Sequence, residues 1–100
     1  MSKKDTLIPV DVPERVKKSL EQFFETLGRE IPTINDDTDL IRDLSATSDE
    51  GVDFAIDLCE TLGGHVPNHF NPFVHESGRR GMRFRELAEW SVNFVSALKE

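Results

Sequence analysis

The sequence predicts an all-α domain of three main helices, and three observations carry that expectation. Apolar residues recur at helical spacing in three separate segments, and start or stop signals bound those segments. No segment sustains the alternation of apolar and polar residues that a strand requires. The chain has 100 residues, 37% of them apolar and 31% charged, which suits one globular domain with one modest core. That domain is expected over residues 11–100, with residues 1–10 as a mobile N-terminal extension.

The first helix opens at Asp11, a residue type that caps helices, with Pro13 in its first turn. Val16, Leu20, Phe23, Phe24 and Leu27 then fall on one face, and Gly28 provides the stop. Arg29 to Ala46 contains Pro32, Asn35 and several aspartates, with Ile31, Ile34, Leu40, Ile41 and Leu44 at irregular spacing. This reads as a long loop pinned to the core by its apolar residues, with one helical turn near Asp37 to Arg42. Thr47 and Glu50 have the spacing of a capping box, so the second helix begins at Ser48. Val52, Ala55, Ile56, Cys59 and Leu62 form its expected buried stripe before Gly63-Gly64 ends it. Asn68 to Gly81 reads as an irregular or briefly helical connection. Phe84, Leu87, Ala88, Ser91, Phe94, Val95 and Leu98 give the last helix its apolar face, with Trp90 beside it and half-buried.

Composition excludes several function classes. Nineteen acidic residues against twelve basic ones give a net charge of −7, which disfavours nucleic acid and anionic membrane surfaces and favours basic proteins as partners. Nine of the acids lie between Asp36 and Glu60, where Arg42 is the one basic residue. On the second helix, Asp49, Glu50, Asp53, Asp57 and Glu60 are expected to face outward and steer the chain toward Lys and Arg on a partner. The single cysteine, Cys59, rules out an internal disulfide framework and fits a reducing compartment. No apolar run approaches the length of a membrane span, and Met1-Ser2-Lys3-Lys4-Asp5 lacks the apolar stretch of a secretory signal. The expected location is the cytoplasm. With no helix face expected to expose a conspicuous apolar patch, a monomer is the simplest state.

Asp43-Leu44-Ser45-Ala46-Thr47-Ser48-Asp49-Glu50-Gly51-Val52-Asp53 is the stretch that speaks to function. It resembles the prosthetic-group site of acyl carrier proteins, where Asp-Leu-Gly-x-Asp-Ser-Leu-Asp-x-Val-Glu leads into the second helix. Thr47 stands in place of the family's aspartate, and Asp49 in place of its apolar residue after the serine. Glu14-Arg15-Val16-Lys17-Lys18 with Glu21-Gln22 is similar to the start of the family's first helix. Asp37-Thr38-Asp39-Leu40-Ile41-Arg42-Asp43-Leu44 is similar to its structured loop. Val66-Pro67-Asn68 falls where the family has Ile-Pro-Asp, and Met82-Arg83-Phe84-Arg85-Glu86-Leu87-Ala88-Glu89-Trp90 is similar to the opening of its last helix. The connection from Pro67 to Phe84 is longer than the family's.

The resemblance implies that Ser48 carries a covalent 4′-phosphopantetheine arm whose thiol holds an acyl or aminoacyl group. It implies no catalysis by the chain itself. The implied partners are a phosphopantetheinyl transferase and acyl-loading or acyl-transferring enzymes with basic docking surfaces. A helix N-terminus is a physically apt place for a phosphodiester, because its free amides and dipole favour negative charge. The other reading of the same residues is a carrier-fold protein that is never modified and acts as an interaction or regulatory module.

The remaining candidates have plainer readings. His65, His69 and His75 with Glu76 could suggest a metal site, but their loop setting favours solvated histidines. Cys59 on the helix-two stripe reads as core, with no nearby base to make it a nucleophile. Arg79, Arg80, Arg83 and Arg85 form a basic cluster best used in pairing with the chain's own acids. There is no glycine-rich phosphate loop, no Cys-x-x-Cys, and no supported Ser/His/Asp set.

Overall fold

A computed structural model describes residues 11–75 and 77–98, so the N-terminal extension expected at 1–10, Glu76, and the last two residues of the domain expected at 11–100 lie outside the described residues. Three α-helices account for the regular structure: α1 (Val12–Thr26), α2 (Ser48–Leu62) and α3 (Phe84–Leu98). Helix α1 packs against both of the others. Among the described residues the only extended pairings are two isolated antiparallel bridges, Asp39 with Arg83 and Val74 with Gly81. The all-α expectation and the bounds of α2 are borne out.

Val12, Val16, Leu20 and Phe24 are the buried stripe of α1, while Leu27 is exposed. The expected Asp11 cap is absent. Asp11 keeps near-helical dihedrals (φ −89°, ψ −14°) and its side chain makes no capping bond, whereas a side-chain cap needs an extended backbone there. The other end is tightly closed. Gly28 adopts φ +73°, a left-handed turn glycine takes at no steric cost. The amides of Gly28 and Arg29 then return to the carbonyls of Glu25 (2.9 Å) and Phe24 (3.0 Å), the Schellman pattern.

The long loop is bound rather than loose. Ile34, Leu40 and Leu44 are buried, and Ile31 and Ile41 pack against the core. Its helical turn lies further along than expected: Asp39 accepts at Oδ1 from the amides of Ile41 and Arg42, and the Asp43 and Ala46 amides donate to the carbonyls of Asp39 and Ile41. Asp39 acts as the cap of that turn, which is why it starts there. Loop carbonyls in turn satisfy the first turn of α3, with Phe84 donating to Thr38 (2.9 Å) and Arg85 to Asp36 (3.1 Å).

Helix α2 begins with the expected capping box. Glu50 donates its amide to Thr47 Oγ1 at 3.1 Å, and Glu50 Oε1 accepts from the Thr47 amide at 3.0 Å. Gly63 in the left-handed conformation ends the helix as expected. The buried face is a correction. Gly51, Phe54, Ala55, Leu58, Cys59 and Leu62 point inward, while Val52 (52%) and Ile56 (55%) are exposed. Phe54 sets the rotation of the helix, because it stacks on Phe73 at 5.4 Å and meets Phe23 edge-on at 5.3 Å.

Phe73 comes from the connection, which holds no helix among its described residues. It is fully buried and also stacks on Phe24 at 6.0 Å, so the connection contributes to the core between α1 and α2. In α3 the buried residues are Phe84, Leu87, Ala88, Ser91 and Val95, whereas Phe94 is half-buried and Leu98 exposed.

Gly51 is where the connection crosses α2 most closely. A Cβ there would overlap Asn71 Oδ1 and lie 2.9 Å from Phe73 Cβ. Gly51→Ala, which ordinarily strengthens a helix interior by about 1 kcal/mol, is therefore expected to destabilise by about 1–3 kcal/mol in urea denaturation, the usual range for overpacking.

Candidate functional site

Ser48 is exposed at the first position of α2, and three attachments, two of which share Glu50, hold that helix end in place. The first is the capping box. The second is Arg29, which Gly28 turns back across the face of Phe24, its guanidinium 4.9 Å from the ring centroid. Arg29 donates to Glu50 Oε2 at 2.6 Å and to the carbonyls of Leu44 (3.0 Å) and Ser45 (2.7 Å). One side chain thus joins the end of α1, the end of the loop and the start of α2. The third is Asn71, whose amide donates to the Ser48 carbonyl at 2.9 Å while its Oδ1 accepts from the Phe73 amide at 3.0 Å.

Among the five carboxylates expected to face a partner, Asp49, Asp53, Asp57 and Glu60 are exposed. Glu50 is set apart from them. It is half-buried, and its carboxylate lies below the usual range, chiefly because Arg29 donates to it, with the Thr47 amide adding to the effect against the opposing cost of burial. Val52 and Ile56, expected inside, lie on the same outer face as Asp49 and Asp53. The outer surface of α2 is therefore a strip of carboxylates with two apolar side chains, starting at Ser48. The expectation that no helix face exposes apolar side chains together is corrected at these two residues. Val52 with Ile56 and Phe54 with Leu58 share a spacing of four, so periodicity alone does not distinguish the two phases, and the contact of Phe54 with Phe73 selects the second.

The connection and α3 enclose a second feature, an open cleft of about 400 Å³. Phe70, Asn71 and Val74 line one side and Glu86, Glu89, Trp90 and Asn93 the other. Phe70, Trp90 and Phe94 form a stack, with centroids 4.0 Å and 4.9 Å apart. The expected half-burial of Trp90 is observed.

Two arginines of the basic cluster pair internally, Arg80 with Glu86 (2.9 and 2.7 Å, bidentate) and Arg85 with Asp37. His65 and His69 are exposed, but His75 is half-buried, with Nδ1 3.0 Å from Ser77 Oγ and Nε2 3.7 Å from Glu86. Among the described residues no group of three or more His, Cys, Asp or Glu could hold a metal ion. Burial pushes the Cys59 thiol up, which keeps it protonated and inert. No helix of the described residues is long and apolar enough to cross a membrane. Comparison with protein-family models, with curated proteins and with solved structures finds no match for the chain.

Replacing Arg29 with Met keeps the stem over Phe24 and removes every donor. The loss is expected to be about 2–3 kcal/mol, since two carbonyls and a carboxylate lose a charged partner, and guanidinium denaturation at neutral pH measures it. Glu86 supplies the pH dependence. Arg80 holds its carboxyl at about 2, helped by the Arg83 amide and opposed by partial burial, against an ordinary value of 4.5. Its folded value is depressed, so its stabilisation is complete above pH 4.5 and is lost as pH falls toward 2. In Glu86→Gln the stability curve should flatten across that window by about 1 kcal/mol, the scale for a partly exposed pair.

Proposed function

We propose that the chain is a carrier domain of the acyl carrier protein class, with Ser48 as the attachment point of a 4′-phosphopantetheine arm. The observation that carries this reading is the exposed Ser48 at the start of a doubly capped helix whose outer face continues as Asp49, Val52, Asp53, Ile56, Asp57 and Glu60. Ser45 adds support. It holds φ +53°, a conformation uncommon for a residue with a Cβ, at the position that is glycine in the family pattern Asp-Leu-Gly-x-Asp-Ser. The carrier fold itself is part of the proposal, supported by three helices in the expected order with a long, well-bonded first loop.

In the loading step, Ser48 Oγ attacks the coenzyme A phosphorus nearer the pantetheine. The bond from that phosphorus to the bridging oxygen breaks, adenosine 3′,5′-bisphosphate leaves, and the serine proton passes to a base on the transferase. The product would be a phosphodiester bearing one negative charge, which the first-turn amides and positive dipole end of α2 favour. The arm, held on Ser48, would supply the thiol that bears an acyl or aminoacyl group. The chain contributes presentation: its carboxylates steer basic surfaces inward, and Val52 and Ile56 supply the apolar contact that holds them.

Asp49 favours a second reading. A carboxylate directly after Ser48, exposed on the surface a transferase would grip, suits an interaction module that is never loaded. Incubation with coenzyme A and a broad-specificity phosphopantetheinyl transferase separates the two. Intact-mass analysis should show one added arm on the native chain and none on a folded Ser48→Ala variant. An unchanged native mass beside a loaded control carrier favours the module.

A further inference from the structure

The cleft between the connection and α3 adjoins the attachment point, and its lining differs from that of the core. Asn71 belongs to both: it lines the cleft and donates to the Ser48 carbonyl. The space beneath α2, by contrast, is filled. Phe73 is fully buried against Phe54 and Phe24, and its Cβ lies where any side chain at position 51 would need room. A group carried from Ser48 meets close-packed aromatic rings on the inside and an open cleft alongside.

We infer that the cleft lined by Asn71, Phe70, Val74, Glu89, Trp90 and Asn93 receives the cargo of the arm, and that the cargo it favours is an aminoacyl group. The inference rests on the carrier reading above. The lining includes two carboxylates, Glu86 and Glu89, and two histidines, His69 and His75, the latter with Nε2 3.7 Å from Glu86, and neither Lys nor Arg. Glu86 is neutralised by Arg80, whereas Glu89 is exposed at the rim. An ammonium group gains from that rim, while a free carboxylate is repelled by it. The edge of the Phe70 and Trp90 stack with Val74 offers apolar contact to a side chain, and Asn93 offers an amide to the arm. A long alkyl chain gains little, because its stabilisation scales with apolar surface withdrawn from water and much of this lining is polar.

The test loads the full chain with amide-linked coenzyme A analogues bearing either a phenylalanyl or an octanoyl group, beside the bare arm. Mass analysis scores loading, and two-dimensional amide NMR scores contact. The phenylalanyl form should shift the Trp90 indole N–H and the amides of Phe70, Asn71 and Val74 relative to the bare arm. The octanoyl form should shift them less, and Glu89→Gln should at least halve the phenylalanyl shift. Loaded protein in which these resonances match the bare arm, or in which Phe54 and Leu58 shift instead, overturns the cleft while leaving the carrier reading intact. Equal shifts from the two cargoes, or an undiminished shift in Glu89→Gln, overturn the aminoacyl preference. Failure to load beside a loaded control carrier overturns both readings.

Discussion

Arg29 is the side chain on which the geometry of the candidate site depends. Its backbone is placed by the glycine-dependent end of α1, and its guanidinium reaches the two carbonyls before Ala46 and the carboxylate that completes the α2 cap. Without a cation there, Leu44 and Ser45 would present carbonyls with a lost partner at a point where the loop must turn into a helix. The start of α2, and with it Ser48, is therefore fixed by an interaction with the end of α1 rather than by helix propensity alone. The loop between them can be long because its own turn, capped by Asp39, and its bonds to α3 remove the freedom its length would otherwise give it.

Helix α2 serves two surfaces at once. Its inner face is aromatic and aliphatic, and Phe54 locks its rotation against rings from α1 and from the connection. That rotation leaves Val52 and Ile56 outside among carboxylates, where they have no role in the core. In the proposed carrier role, long-range attraction from the acids would raise the rate of meeting a basic partner and short-range apolar contact would slow separation. Glu50 takes no free part in this, since its charge is already matched by Arg29.

Much of this could be read from the chain. The three helices, the Thr47 and Glu50 capping box, the Gly28 and Gly63 stops and the burial of Cys59 followed from local rules, because caps, stops and periodicity act within a few residues. The phase of α2 did not. Val52 and Ile56 fit a helical stripe as well as Phe54 and Leu58 do, and only the long-range arrival of Phe73 chooses between them. The Asp11 cap failed for a local reason of backbone conformation that its residue type does not reveal. Arg29 was invisible as a tie because its partners lie fifteen to twenty-one residues away, and the cleft beside Trp90 requires the course of the connection to be known.

The most direct measurement is peptide-level mass spectrometry of the protein purified from its own cells, without added transferase, focused on the peptide that contains Ser48. The carrier account predicts the mass of 4′-phosphopantetheine on that peptide, localised to Ser48 by fragmentation. Ser48 found unmodified throughout, or the arm found on another residue, would contradict it.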